Sequence, residues 1–328
     1  MKRAAPAVAR SALDLVGGTL PVGASEFAAR AHAYVMDPCR STLKAAMDAS
    51  PSVRESPPFL GIFCDIPWHQ LRESEVKLWA RAGFSFIIAD GEHSAQEGRL
   101  GREQFSMLSR HGLTPIQRLH REARSAHGDA LCLGARGTMA PYGSNLDHLT
   151  EYLQCVDYPN PGAATPHSRG GYPMRAGDYS VIGTPKALRA AEAETTAWVQ
   201  FETTEYILDA QLQSRVLETM AAHGPNRTVA FVGPLDAAMT SGHVAGDALA
   251  EAMDGVMGAA ADKGVWSGRV VAATAPEDPE SAYDGFARAI GAGGRMLCPG
   301  YLASDLAYYG ARAVAAPFFR AAADAGFC

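Results

Sequence analysis

Three ionisable side chains stand close together directly after an apolar run. The run, residues 84–89, is rich in aromatic and β-branched residues, and Asp90, Glu92 and His93 follow it. A run of this kind predicts a strand buried on both faces, as in a parallel sheet covered by helices. In α/β proteins the carboxyl ends of such strands carry catalytic groups, and this predicts a functional site here. A polar loop that merely opens the next helix is the alternative.

Polar side chains end three later apolar runs in the same way. Arg118 lies near the end of the third predicted strand, Gln200 and Glu202 close the fifth, and Asp236 follows the sixth. Because strand side chains repeat every two residues, Gln200 and Glu202 share one face. In a closed barrel these strand ends meet at one mouth, so residues distant in sequence become neighbours.

The two later carboxylates predict a metal site. Glu202 and Asp236 come from adjacent strands, and oxygen ligands of this kind suit a divalent cation that keeps open positions for water and substrate. Mg²⁺ or Mn²⁺ is the first expectation, with Co²⁺ or Zn²⁺ as further candidates. Each carboxylate could instead cap the helix that follows it.

The remaining groups suit acid–base chemistry on an anionic substrate. Arg118 can clamp a substrate carboxylate and stabilise an enolate oxygen. His93, with Asp90 three residues earlier, is a candidate general base. A structural ion pair for Arg118 and a loop cap for His93 are the alternatives.

Eight predicted strands alternate with segments of helical spacing. The strands are predicted at 59–64, 84–90, 113–119, 134–141, 197–202, 228–233, 268–273 and 295–299. The helices are predicted at 41–49, 73–82, 102–110, 146–156, 204–222, 246–262, 278–290 and 304–325, most of them ending near a glycine. This alternation predicts an α/β fold, a (β/α)8 TIM barrel with an N-terminal extension. A doubly wound sheet is the alternative, but no glycine-rich phosphate loop follows the first strand.

Composition limits the classes of function. The net charge is −6 and the sequence contains no basic stripe, so binding to nucleic acid is not expected. No apolar run approaches the ~20 residues of a membrane span. The six cysteines are scattered without a C-x-x-C pair, which indicates reduced thiols.

The chain is expected to divide into an extension, residues 1–40, and a barrel domain, residues 41–328. The extension is rich in alanine and carries more basic than acidic residues, so a transit peptide and a loosely folded segment are both compatible with it. We expect a cytoplasmic protein, or an organellar one if the extension is a transit peptide. Residues 157–180 form a long irregular stretch with two arginines, and we expect a lid with anion-binding capacity there.

Several motifs resemble one enzyme family. Residues 82–93, Ala-Gly-Phe-Ser-Phe-Ile-Ile-Ala-Asp-Gly-Glu-His, look like the signature of the HpcH/HpaI aldolases, the class II metal-dependent pyruvate aldolases. Further similar segments, in the same order and spacing, are Pro115–Arg118, Gln200–Thr203, Gly233–Asp236 and Asp278–Glu280. The likeness covers about residues 41–323. One departure is Asp65-Ile-Pro-Trp68, where the family usually has a small turn.

The resemblance implies a role for each candidate residue. Glu202 and Asp236 would hold the metal, and His93, paired with Asp90, would transfer protons through a metal-bound water. Arg118 would hold the pyruvate carbonyl and enolate, and Gln200 would assist in binding the substrate.

The resemblance also implies the reaction. Family members cleave 4-hydroxy-2-oxo acids to pyruvate, or a related 2-oxo acid, and an aldehyde, or they run the reverse condensation. Decarboxylation of an oxaloacetate-like acid and a non-catalytic binding role are the alternatives. The expected partners are small molecules and further copies of this chain. The segment 304–325 is rich in apolar residues, and the resemblance implies that it packs on a neighbouring subunit in a hexamer or trimer.

Overall fold

Eight parallel strands close into a barrel in this computed structural model. It describes residues 42–67, 69–93, 101–119, 124–141, 146–157, 193–224, 226–240, 246–271, 278–300 and 302–327. The strands pair in sequence order and β1 returns to β8, which confirms the predicted TIM barrel. They are β1 (Phe59–Cys64), β2 (Phe86–Gly91), β3 (Thr114–Leu119), β4 (Gly137–Ala140), β5 (Thr196–Phe201), β6 (Thr228–Val232), β7 (Trp266–Val271) and β8 (Met296–Pro299).

The helices surround the barrel and agree with most of the predicted segments. They are α1 (Thr42–Ala49), α2 (Glu73–Arg81), α3 (Arg102–Arg110), α4 (Arg124–Leu133), α5 (Leu146–Val156), α6 (Thr204–Leu208), α7 (Ala210–Ala222), α8 (Pro234–Thr240), α9 (Gly246–Asp262), α10 (Pro279–Gly291), α11 (Ala303–Tyr309) and α12 (Ala311–Asp324). Two of them, α4 and α8, are absent from the sequence prediction. Two long predicted helices are each divided, at Asp209 and at Gly310.

Local sequence explains where these elements begin and end. Asp209 caps α7 by accepting hydrogen bonds from the N–H groups of Gln211 and Leu212, which is why the predicted long helix breaks there. Positive φ angles at the glycines that follow several helices turn the chain towards the next strand. These glycines are Gly83, Gly112, Gly224, Gly264 and Gly293.

The inside of the barrel is a packed core. Phe63, Phe86, Trp198 and Phe231 belong to one buried cluster, with aromatic ring centroids 5.2–5.9 Å apart. Leu43 of helix α1 also belongs to this cluster. The helix lies at the end of the barrel where the strands begin, since the N–H of Leu43 donates a hydrogen bond to Thr114 Oγ1 at the start of β3. Apolar side chains therefore fill this part of the barrel, and the polar side chains lie beyond them at the other end.

The C-terminal helices account for the apolar residues from which an oligomer is predicted. Val314, Ala315 and Phe318 of α12 are buried within this chain, and the Phe318 ring packs edge-to-face on Phe286 of α10. These three residues are therefore buried without a partner subunit. The homo-oligomer itself stays a prediction.

The stretch predicted to be a lid lies outside the described residues, apart from Asp157. Asp157 and, beyond the stretch, Glu194 are described, and both lie at the end of the barrel where the strands begin. Asp157 Oδ1 accepts a hydrogen bond from Arg227, just before β6, and Glu194 precedes β5 closely. The lid role therefore stays a prediction.

The extension, residues 1–40, also lies outside the described ranges, so its nature stays a prediction. Across the part of the chain that the structure describes, no helix has the length and apolar character needed to cross a membrane.

Candidate functional site

The inward-facing positions of the strands become polar at the carboxyl end of the barrel. Ile88, Ile116 and Trp198 belong to the interior cluster, and each is followed two residues later by a polar residue. Because strand side chains alternate between faces, Asp90, Arg118 and Gln200 also face the barrel axis. They are the residues that the sequence predicts for this mouth.

Asp90 and Arg118 form the best-defined contact of the site. They are direct partners in the register of β2 and β3. Arg118 Nε donates to Asp90 Oδ1 at 3.1 Å, and Nη2 donates to Oδ2 at 2.6 Å. The guanidinium carbon also lies 5.1 Å from the centre of the Phe63 ring. This bidentate pair on an aromatic ring fixes the plane of the guanidinium.

The turn after β2 is held by the same carboxylate. Asp90 Oδ1 accepts from the main-chain N–H of Glu92 at 3.0 Å and of His93 at 3.2 Å. The expected pairing of Asp90 with the His93 imidazole is thus replaced by a contact with the His93 main chain. Glu92 Oε2 instead lies 3.8 Å from Nε2 of the ring. The reason is that Arg118 engages both oxygens of Asp90.

The two carboxyl groups of this turn have pKa values shifted in opposite directions. Burial by itself would raise the pKa of Asp90, but the hydrogen bonds and charge of Arg118, with two main-chain N–H groups, hold it below its usual value. Burial raises the pKa of Glu92, and the carboxylates of Asp90 and Asp236 add to this, against the opposing charges of Arg118 and His93. Asp90 is therefore a firmly ionised anchor, whereas ionisation of Glu92 is disfavoured.

Gln200 and Glu202 lie at the end of β5, beside the start of the β6–α8 connection. Both are buried, with 3% and 1% exposure. A Cβ placed on Gly233 would lie 3.1 Å from Gln200 Nε2 and 3.5 Å from Glu202 Oε2. The missing side chain of Gly233 thus leaves room over both groups. The prediction that they share one face is confirmed.

Asp236 lies in the first turn of α8, which follows β6 directly. It is half-buried, and its charge contributes to the raised pKa of Glu92, so it belongs to the same mouth. Within the described ranges, no group of three or more His, Cys, Asp or Glu is arranged to hold a metal ion. A site with two carboxylates would leave its other positions to amide oxygen, water and substrate, as Mg²⁺ sites commonly do.

The residues present fit a divalent cation on two observations. Gln200 Oε1 is buried and makes no hydrogen bond to the described residues, and an unsatisfied buried acceptor is costly. The mouth also brings together four carboxyl groups, Asp90, Glu92, Glu202 and Asp236, with one arginine among the described residues, Arg118. A cation would supply both a partner for the amide oxygen and the missing positive charge.

The departure at Asp65-Ile-Pro-Trp68 has a structural explanation. Asp65 Oδ1 accepts from the N–H of Ser304 at 3.0 Å, and Oδ2 accepts from the Ser304 hydroxyl at 2.6 Å. These bonds tie the end of β1 to the first turn of α11. Asp65 thus stabilises the rim of the mouth.

Sequence reasoning missed two contributors to the site. Glu92 receives no role in it, yet its Oε2 lies 3.2 Å from Arg118 Nη1. Phe63, beneath the guanidinium, lies in a predicted strand but also receives no role in the site. The period-two pattern could have found Phe63, because it faces inward one layer below the polar side chains.

No family model matches the chain, but a comparison with curated proteins finds two aldolases to which it is similar. It is 28% identical over 181 residues to the hydroxypyruvate/pyruvate aldolase of Roseobacter denitrificans, covering 54% of this chain and 64% of that protein. It is 23% identical over 184 residues to the pyruvate aldolase of Rhizobium etli, covering 56% and 65%. The matched part therefore spans less than two thirds of each relative.

Solved structures share the fold. An HpcH/HpaI aldolase from Desulfitobacterium hafniense superposes with a TM-score of 0.59 at 21% identity, covering 79% of this chain and 92% of that one. An HpcH/HpaI aldolase/citrate lyase family protein from Burkholderia cenocepacia gives 0.60 at 22% identity, covering 82% and 96%. The resemblance predicted from the motifs is confirmed: the chain is similar in sequence to two curated pyruvate aldolases and shares its fold with HpcH/HpaI aldolase family proteins.

Proposed function

We propose that this protein is a metal-dependent carbon–carbon lyase that cleaves 4-hydroxy-2-oxo acids to pyruvate, or a related 2-oxo acid, and an aldehyde. The observation that carries the proposal is the mouth of the barrel, where Arg118, locked by Asp90, faces the same axis as the buried oxygens of Gln200 and Glu202. The names of the curated relatives, both pyruvate aldolases, support the same reaction.

The charge of the site supports a divalent cation as part of the enzyme. Among the described residues, the mouth holds four carboxyl groups against one arginine, a balance that would repel the anion of a 2-oxo acid. Glu202 and Asp236 would hold the cation, which the Gln200 amide oxygen would also contact, while the amide N–H groups of Gln200 would bind the substrate beside it. The cation, once bound, would neutralise the site and polarise the 2-oxo group.

The side chains of this chain would then divide the work of the cleavage. Two of the five guanidinium N–H donors of Arg118 are engaged by Asp90, so others remain for the substrate oxygen on which negative charge develops. His93, with 61% of its side chain exposed at the mouth, would accept the proton of the 4-hydroxyl group as the C3–C4 bond breaks. It would return that proton to C3, which gives pyruvate.

The direct test is release of pyruvate from a panel of 4-hydroxy-2-oxo acids, with and without EDTA. We expect activity that EDTA removes and Mg²⁺ or Mn²⁺ restores. Glu202→Ala and Asp236→Ala should lose Mn²⁺ binding in calorimetry while remaining folded. Glu280→Ala is the control, because Glu280 pairs with Arg320 on the outer surface.

Two results would overturn the proposal. One is wild-type Mn²⁺ affinity in Glu202→Ala. The other is cleavage that is indifferent to EDTA. Decarboxylation of oxaloacetate without any cleavage of the hydroxy acids would retain the site but replace the reaction.

A further inference from the structure

We propose that Glu92, and not Asp90, is the residue that positions the His93 imidazole, and that it steadies the free edge of Arg118 at the same time. The inference rests on the proposed function, because it concerns the groups that would move the proton and hold the substrate. It assigns separate tasks to two carboxylates that stand two residues apart.

Asp90 has little capacity left to orient an imidazole. Its Oδ1 accepts three hydrogen bonds, from Arg118 Nε and from the main-chain N–H groups of Glu92 and His93. Its Oδ2 accepts from Arg118 Nη2 at 2.6 Å. A carboxylate has about four lone-pair sites. Asp90 therefore acts as the anchor of the turn and of Arg118.

Glu92 has the geometry that Asp90 lacks. Its side chain is 6% exposed, and Oε2 lies 3.8 Å from His93 Nε2 and 3.2 Å from Arg118 Nη1. The alignment with Arg118 falls short of a hydrogen bond, and Oε2 makes none to the described residues. One buried oxygen thus stands between two cationic groups with its lone pairs available. Among the described residues, the carboxylate within ion-pair distance of the His93 ring is that of Glu92.

This placement has a chemical consequence. An exposed imidazole samples several orientations unless a partner holds one of its nitrogens. The Glu92 carboxylate beside Nε2 is such a partner and leaves Nδ1 facing away from Glu92. The same oxygen restrains the third nitrogen of Arg118, whose other two are held by Asp90. His93 and Arg118 are thereby set in a fixed relation.

The test compares Glu92→Gln, Glu92→Asp and a matched control. Asp254→Asn is that control, because Asp254 is also a carboxylate shared by two cations, Arg269 and Arg288, but it lies on α9 outside the barrel. If the charge of Glu92 positions His93, Glu92→Gln should lower kcat by about tenfold to a hundredfold with little change in KM. Glu92→Asp should retain more activity than Glu92→Gln. A residue that only fills space would show the reverse order.

A second readout does not depend on activity. In metal-free protein, the ring signals of His93 in NMR spectra should shift in Glu92→Gln, because the ring loses the carboxylate that lies 3.8 Å from Nε2. Asp254→Asn should leave them unchanged. The other charged groups around this pair are Asp90, Arg118 and Asp236, which are the same in both variants.

The outcomes separate the two proposals. Unmoved His93 signals in Glu92→Gln, or a Gln variant more active than the Asp variant, would overturn the role of Glu92 even in an active enzyme. An inert wild-type protein would overturn the proposed function, and the NMR comparison would still decide whether Glu92 acts on His93.

Discussion

Arg118 is fixed to Asp90 by two hydrogen bonds between residues that face each other across β2 and β3. The geometry depends on the flat guanidinium, since Nε and Nη2 each meet one carboxylate oxygen. A lysine keeps the charge at this position but offers a single nitrogen.

We expect Arg118→Lys to lower the rate of pyruvate methyl-proton exchange in D₂O by about 10²–10³-fold, the cost of losing an oriented donor at a developing oxyanion. Proton NMR measures the exchange. Arg269→Lys, at a buried arginine on β7 that contacts Asp254, is the control and should exchange at the wild-type rate. Normal exchange by Arg118→Lys would contradict the role of Arg118.

His93→Ala should affect turnover and leave stability intact. The ring is largely exposed, so its removal should change the melting temperature little. We expect kcat to fall by about 10²–10⁴-fold, the usual effect of losing one acid–base group, with pyruvate affinity retained. Turnover and thermal unfolding of the same variant decide the matter. A destabilised protein with normal turnover would mean that His93 is only a loop residue.

Asp90 should make stability depend on acid pH. Its pKa is lowered in the folded protein, so its contribution is present above the unfolded value of about 3.9 and is lost as pH falls through the folded value. Asp90→Asn should lower the free energy of unfolding at pH 7 by about 2 kcal/mol, since hydrogen bonds to charged groups contribute about 1.5–3 kcal/mol. Urea unfolding should show this difference shrinking below about pH 4. A difference that does not shrink as the pH falls below this value would contradict the prediction.

Glu92 should have the opposite effect on stability. Its pKa is raised in the folded protein, so the folded state loses stability as pH rises from the unfolded value of about 4.3 through the folded value. In the metal-free protein, Glu92→Gln should therefore be more stable than wild type at pH 7 and no more stable below about pH 4. Urea titrations at the two pH values measure this. A less stable Glu92→Gln at pH 7 would show that the Arg118 contact outweighs burial.

Gly233 offers a steric test of the pocket. In Gly233→Ala the new Cβ would lie 3.1 Å from Gln200 Nε2 and from Glu202 Cβ, which requires a shift of both side chains. We expect a folded protein that is less stable by about 1–3 kcal/mol and binds Mn²⁺ less tightly. Gly255→Ala is the matched control on α9, where a Cβ meets nothing within 4 Å, and it should gain about 0.5–1 kcal/mol. Unchanged Mn²⁺ affinity in Gly233→Ala would place the cation elsewhere.

Much of the fold could be predicted because its signals are local. Apolar runs predict the strands, with β1 matching to the residue, and helices such as α3, α5 and α9 begin and end where their spacing predicts. The pairing of Gln200 and Glu202 on one face follows from the period of two. The missed helices are short or weakly amphipathic: α4 contains Gly128 within a polar stretch, and α8 spans only seven residues.

The C-terminal segment shows where such reasoning fails. Its apolar residues indicate a buried face, which is correct, but the sequence does not say what buries it. In the structure Phe318 meets Phe286 and Phe319 approaches Gly83, both within the same chain. Contacts between residues so distant in sequence depend on how the helices pack around the finished barrel.

For this protein the sequence by itself determined the barrel, the strand ends that carry chemistry and the resemblance to the HpcH/HpaI aldolases. These features depend on periodicity and on residue type, and both can be seen in short segments of the chain. Only the tertiary structure decided that Asp90 holds Arg118 while Glu92 faces His93. The strand register sets Asp90 opposite Arg118, and the bidentate pair then takes up the carboxylate that the spacing alone would have assigned to the imidazole.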